Sequence, residues 1–210
     1  MNSARRHARS DVVDMAVTLL DDYGIADLTM RRLARELGLT PGALYWHFAD
    51  KQALLGAVAD RILATTTSAT APAPWADRVH AICTGLRDAL LSTTDGAELV
   101  SASFAAGKSE QMAAILDRLT GAAAEAGIDA AHAGLAARSV LYYVLGFTAD
   151  EQSRLQWDAA GALADGQSVM TTDPNGRFIF GLRLLVDGMS AQAAASRDHR
   201  GDPGVTVPAP

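Results

Sequence analysis

Apolar residues in this chain recur at spacings of three and four, with glycine and small polar residues punctuating the runs. That is the period of an α-helix, in which i, i+3, i+4 and i+7 share a face. The first run is Val12, Ala16, Leu19 and Tyr23. Ser10 reads as its N-cap, Asp11 and Asp14 suit the positive end of the helix dipole, and Gly24 ends it. Thr29 caps a second helix whose inward stripe is Leu33, Ala34 and Leu37, and Gly38 closes it in the left-handed conformation that glycine tolerates. Thr40 caps a third, with Pro41 at its first position and Ala43 to Phe48 filling barely two turns. Asp50 caps a fourth, whose apolar face is Leu54, Leu55, Val58, Ala59, Ile62 and Leu63.

Residues 65–74 (TTTSATAPAP) break the periodicity with small residues and two prolines, and a domain boundary is placed there. Further helices are expected near Trp75–Leu91, Gly96–Ala105, Ser109–Ala126, Asp129–Gln156 and Arg177–Ala194. Residues 158–176 read as a loop or short helix, and 196–210, rich in Asp, Gly and Pro, as a disordered tail. The expected organisation is an N-terminal helical unit over residues 1–64, a larger helical unit over 75–195, and that tail.

Composition supports an all-α fold. Aromatic residues are 6% and β-branched clusters are scarce, while a hydrophobic share of 49% against 20% charged is ample for a packed core. The single cysteine, Cys83, has no disulfide partner and no metal-ligand spacing, so it reads as a buried structural thiol in a reducing, cytoplasmic setting. The acidic residues of the first helix do not suit a signal peptide. The most apolar stretch, Ser139–Phe147, is about half of the roughly 20 residues that span a bilayer, so no membrane association is expected. The net charge of −6 is uneven: residues 1–61 hold eight Lys/Arg and eight Asp/Glu, leaving ten and sixteen for residues 62–210. All the excess acid lies in the second part. A local basic face, not overall charge, decides phosphate binding, because screening limits exposed charges to about 10 Å.

Two short capped helices joined through Gly38 and Leu39 are the sequence form of a helix-turn-helix, whose second helix enters the major groove of DNA. The run Leu28–Phe48 (LTMRRLARELGLTPGALYWHF), followed by Asp50–Leu55, resembles the DNA-binding domain of the TetR family of regulators, as does residues 16–25 (AVTLLDDYGI). Residues 90–97 (LLSTTDGA) and 178–182 (FIFGL) are similar to the core of the tetracycline-repressor subgroup. The resemblance implies a three-helix helix-turn-helix domain joined to a helical domain for effector binding and dimerisation. It also implies a homodimer on double-stranded operator DNA, regulated by a small molecule.

Carried residue by residue, the resemblance sets Thr40, Pro41, Gly42, Ala43 and Tyr45 at or near DNA, with Trp46 and His47 along the backbone side. Thr40 and Tyr45 can hydrogen-bond phosphate, and Pro41 and Ala43 offer apolar surface to a thymine methyl. Arg31 matches a DNA-contacting position and can pair bidentately with guanine. Lys51, with the amides that open the fourth helix, suits a phosphate. Arg5, Arg6 and Arg9 form an arm that reads equally as a DNA contact or as disorder, and Arg32 and Arg35 read equally as a solvated face. The C-terminal helix carries Phe180, Gly181, Leu184, Leu185, Gly188 and Met189 as an apolar, partly small-residue face for a dimer, with an intrachain contact as the alternative.

The tetracycline repressors hold a magnesium–drug complex with a histidine followed by Thr-Arg. The matching stretch here is Val100-Ser-Ala-Ser-Phe104, so neither tetracycline, metal nor any cofactor is expected. Asp150 and Glu151 are expected to face solvent. The candidate pocket is Ile82, Leu86, Val100, Phe104, Leu119, Leu141 and Tyr142, walls suited to a hydrophobic or aromatic effector or simply to one another. The alternatives are a helical enzyme or a protein-interaction adaptor. Scattered histidines and the lack of a nucleophile–base motif or glycine-rich phosphate loop argue against an enzyme.

Overall fold

The structure, a computed structural model, describes residues 7–67, 73–162 and 173–200. These form α1 (Arg9–Asp27), α2 (Met30–Glu36), α3 (Pro41–Leu44), α4 (Lys51–Leu63), a 3₁₀ turn (Ala64–Thr67), α5 (Trp75–Leu91), α6 (Gly96–Ala105), α7 (Glu110–Ala126), α8 (Ala130–Ala159) and α9 (Pro174–Arg200). No strand occurs among the described residues. Arg5, Arg6, residues 68–72 of the expected linker, 163–172 of the expected loop and 201–210 of the expected tail lie outside them.

Several boundaries differ from the sequence reading for local reasons. The N-cap of α1 is Ala8 rather than Ser10, because the Asp11 carboxylate accepts the Ala8 N–H at 2.8 Å and starts the helix early. Gly24 takes φ 76° and breaks α1, yet the chain makes one more turn to Asp27. The third helix is a single turn, since Tyr45 to His47 form a turn rather than helix, and the Thr40 side chain makes no cap bond. The last helix is longer at both ends than expected. Asp173 accepts the Gly176 N–H at 2.9 Å to open α9, and the helix runs on to Arg200, into the segment read as tail.

Helices α1 to α4 close on Val12, Ala16, Leu20, Leu33, Leu44, Phe48, Leu54 and Val58, each at most 2% exposed. In the larger unit α5 is central and touches α4, α6, α7, α8 and α9. Its Val79, Cys83, Leu86 and Leu90 are fully buried, and burial pushes the Cys83 thiol up to about 12, where it stays protonated and inert.

The two units meet along α4. Gly56 lies so close to the turn between α6 and α7 that a Cβ there would stand 2.2 Å from the Lys108 carbonyl oxygen. One turn on, the Asp60 carboxylate accepts the Ser109 hydroxyl at 2.7 Å and the Gln111 N–H at 3.0 Å, so a side chain of α4 helps to cap α7.

Candidate nucleic-acid interface and adjoining cleft

The turn between α2 and α3 is built by its backbone. Gly38 adopts φ 66°, which lets the Leu39 N–H reach the Ala34 carbonyl at 2.8 Å and turns the chain sharply into α3. Thr29 accepts the Arg32 N–H at 3.2 Å to start α2, and Asp50 accepts the Ala53 N–H at 2.7 Å to start α4. Leu44 and Phe48 anchor α3 from beneath, at 0% and 2% exposure. The remaining α3 positions therefore face outward.

Thr40, Pro41, Gly42 and Tyr45 are exposed, Ala43 and His47 are half-buried, and Trp46 is 91% exposed. This indole stands almost wholly in water next to a 53% exposed tyrosine, more exposed than the other large apolar side chains left outside the core. Arg31 is exposed at the second position of α2, and Lys51 is exposed at the first position of α4.

The other basic residues divide. Arg32 is committed internally, 2.8 Å from Asp27 with its guanidinium 3.6 Å from the Tyr23 ring centroid, so it is not a solvated face. Arg9 belongs to α1 rather than to a loose arm, and its guanidinium lies 4.6 Å from the Phe48 ring centroid. Arg35 is exposed, 3.5 Å from Glu36.

In the larger unit five of the seven pocket candidates are core. Ile82, Leu86, Val100, Leu119 and Leu141 are at most 7% exposed and pack into the continuous hydrophobic cluster. Phe104 and Tyr142 instead line an open cleft between α6 and α8, whose Phe104 end is also walled by Leu116 and Asp117 of α7. It consists of two cavities of about 650 and 510 Å³ that share Ser101, Ala105, Tyr142 and Leu145. One end carries Asp95 and Glu98, and the other Phe104 and Arg138.

Three residues not expected from the sequence border this cleft: Asp95 and Gln156, which connect it to α1, and Gln152, which ties α8 to the α5–α6 turn. Asp95 sits in the left-handed region at φ 54°, where one carboxylate oxygen accepts the Ile25 N–H at 2.9 Å and the other the Gln156 side-chain amide at 2.7 Å. Beside it the Thr94 N–H reaches the Asp21 carboxylate at 2.7 Å. Gln152 is buried and fully used: its amide donates to the Leu90 and Thr93 carbonyls at 3.0 and 2.8 Å, and its oxygen accepts the Ala97 N–H at 2.9 Å. No local pattern announced these contacts, because the partners of Asp95 lie 61 and 70 residues away.

Glu151 corrects another expectation. It is 6% exposed, and its two oxygens accept Nε and Nη2 of Arg87 at 2.8 and 2.6 Å, while Arg87 Nη1 donates to Asn175 at 2.8 Å. Asp150 does face solvent, paired with Arg154 at 2.8 Å. Among the described residues no group of three His, Cys, Asp or Glu side chains is placed to hold a metal ion.

On α9, Phe180 and Leu184 are 65% and 58% exposed and Gly188 is exposed, whereas Met189 is buried and Leu185 half-buried. Gly181 serves an intrachain contact: a Cβ there would stand 2.3 Å from the Tyr143 hydroxyl, which donates to the Phe178 carbonyl at 2.8 Å. Residues Pro174–Ala195 are long and apolar enough to cross a membrane by length and composition, with 28% of that window buried.

Comparison with known proteins follows the same division. Residues 12–58 match the family model for bacterial regulatory proteins of the tetR family, and residues 69–163 that for the tetracyclin repressor-like C-terminal domain. The Escherichia coli tetracycline repressor protein class E is 33% identical over 199 residues, covering 89% of this chain and 92% of that protein. The crystal structure of Mycobacterium smegmatis BioQ superposes with a TM-score of 0.84 at 59% identity, over 89% of this chain and 99% of that one. A crystal structure of BioQ with its double-stranded DNA operator gives a TM-score of 0.78 at 56% identity, again over 89% and 99%. With an outward-facing helix-turn-helix at one end and a helical core at the other, the chain belongs to the TetR family of DNA-binding transcription regulators.

Proposed function

We propose that the chain is a cytoplasmic, dimeric repressor that grips operator DNA through α3 and its flanks and is released when a small molecule occupies the cleft between α6 and α8. The observation that carries the reading is the cluster on the α3 face. Trp46, Tyr45, Arg31 and Lys51 are exposed around one single-turn helix held rigidly from beneath by Leu44 and Phe48. Thr40 to Tyr45 enter the groove, Arg31 reads a base edge, and Trp46, His47 and Lys51 line the phosphate backbone.

Release follows from the cleft's position. A ligand there touches Asp95 and Gln156, the groups that fix the α1 backbone at Ile25. If it binds one arrangement of these groups more tightly than the other, it shifts the population of DNA-competent dimers by that difference in affinity. The dimer face comprises Phe180, Leu184 and Gly188 of α9 with the exposed Leu135 of α8, next to a groove of about 320 Å³.

The test is binding to the cognate operator with Arg31→Ala. A bidentate arginine–guanine pair is worth about 1–3 kcal/mol, so the variant should lose about five- to 150-fold in affinity and relax its preference at one base pair. Tyr45→Phe should weaken binding to all sequences alike. An adaptor or enzyme on the same fold would show no specific complex to lose.

A further inference from the structure

We propose that the effector is an amphipathic carboxylate whose anionic end pairs with Arg138 and whose apolar body lies along the α6–α8 cleft. This rests on the reading of that cleft as the effector site. Arg138 lies at one end of the cleft, exposed, with its guanidinium carbon 5.6 Å from the Phe104 ring centroid. It takes no part in the ion pairs found among the described residues, although Asp117 lines the same cavity. A guanidinium positioned over a ring keeps its planar fork of N–H donors free at the edge, the geometry that accepts a carboxylate bidentately. The Ser101 and Tyr142 hydroxyls border the same space and can supply further donors.

The opposite end fixes the orientation. Asp95 and Glu98 line it with no cation beside them among the described residues, so a carboxylate there would meet only like charge, whereas at the other end Asp117 is accompanied by Arg138. Between the ends the walls are Ala105, Leu145, Ala149 and the Phe104 ring, which suit a short apolar or aromatic body. A neutral hydrophobe would fill that middle section but leave the Arg138 fork to water, without the charge-assisted bond a carboxylate would add. The charge therefore narrows the ligand class beyond what apolar walls alone would select.

The test uses the full chain and two probes that differ in their terminal group, phenylbutyrate and phenylbutanol, with affinities read by titration calorimetry. Phenylbutyrate should bind the wild type about tenfold more tightly or better, the value of one charge-assisted bond. Arg138→Met keeps the apolar stem, so it should erase that preference while leaving phenylbutanol unchanged. Ala105→Trp, which fills the space shared by both cavities, should weaken both probes together, and Ser101→Phe serves the same purpose if the tryptophan variant fails to fold. Equal affinities for the wild type, no binding of either probe, or a preference that survives Arg138→Met overturns the carboxylate assignment. Undiminished binding of both probes to the filled cleft overturns the cleft itself as the site.

Discussion

A missing methyl group decides how closely α4 lies on the core. In an exposed helix Gly→Ala gains roughly 0.5–1 kcal/mol from backbone entropy. At Gly56 the new Cβ would stand 2.2 Å from a backbone oxygen that cannot rotate away, and overpacking of that kind costs about 1–3 kcal/mol. Gly56→Ala should therefore lower stability by about 1 kcal/mol or more in urea unfolding. Gly85→Ala, also within a helix but with open space around it, should raise stability by about 0.5 kcal/mol. If both variants moved the same way, the close approach of α4 to Lys108 would not be the deciding contact. Residues whose role depends on local chemistry were legible in the sequence. Thr29 and Asp50 cap their helices, Gly38 turns left-handed, and Leu44 and Phe48 are buried. Ser10 and Thr40 looked equally good as caps and make no such bond, because the competing Asp11 bond wins in one case and α3 is too short in the other.

Three helices are joined by one buried cluster. Arg87 of α5, Glu151 of α8 and Asn175 of α9 form a hydrogen-bonded set with both charges 6% exposed, and Arg87 lies 5.1 Å from the Phe178 ring centroid. Breaking a buried pair leaves a charge without compensation and typically costs about 3–5 kcal/mol, whereas replacing both partners with apolar groups of similar size is often neutral. Glu151→Ala should thus destabilise the protein by about 3 kcal/mol or more. The double replacement Arg87→Met with Glu151→Leu should recover most of that loss, measured by chemical unfolding at one fixed protein concentration. Equal losses in the single and double variants would mean that packing, not charge pairing, holds these helices. Helical periodicity placed Glu151 one residue from the exposed Asp150 but could not say which of the two turned inward, since the partner comes from 64 residues away. For the same reason five apolar residues offered as pocket walls proved to be core. Periodicity finds an inward face and cannot distinguish a wall from a filling.

At the scale of the molecule, an unpartnered apolar strip remains on α8 and α9. Phe180, Leu184 and Leu135 are each at least 58% exposed, on helices whose opposite faces pack into the core. Such a face fits burial against a second copy, and a charge in its middle should prevent that. Leu184→Glu is expected to sediment as a folded monomer at micromolar concentration where the wild type sediments as a dimer, and an unchanged dimer would place the interface elsewhere. The helix-turn-helix was legible from its motif, because it is a local pattern of capped helices around Gly38. The α1 tether at Asp95 was not, because it depends on how the two ends meet. A symmetric pair of α3 helices is the arrangement by which a dimer of this chain would recognise DNA. Selection of bound fragments from random double-stranded DNA with the wild-type protein tests it most directly. The expected product is an inverted repeat whose half-sites are centred about one helical turn, roughly 34–36 Å, apart. Recovery of no common motif, or of a single unrepeated site, would contradict it.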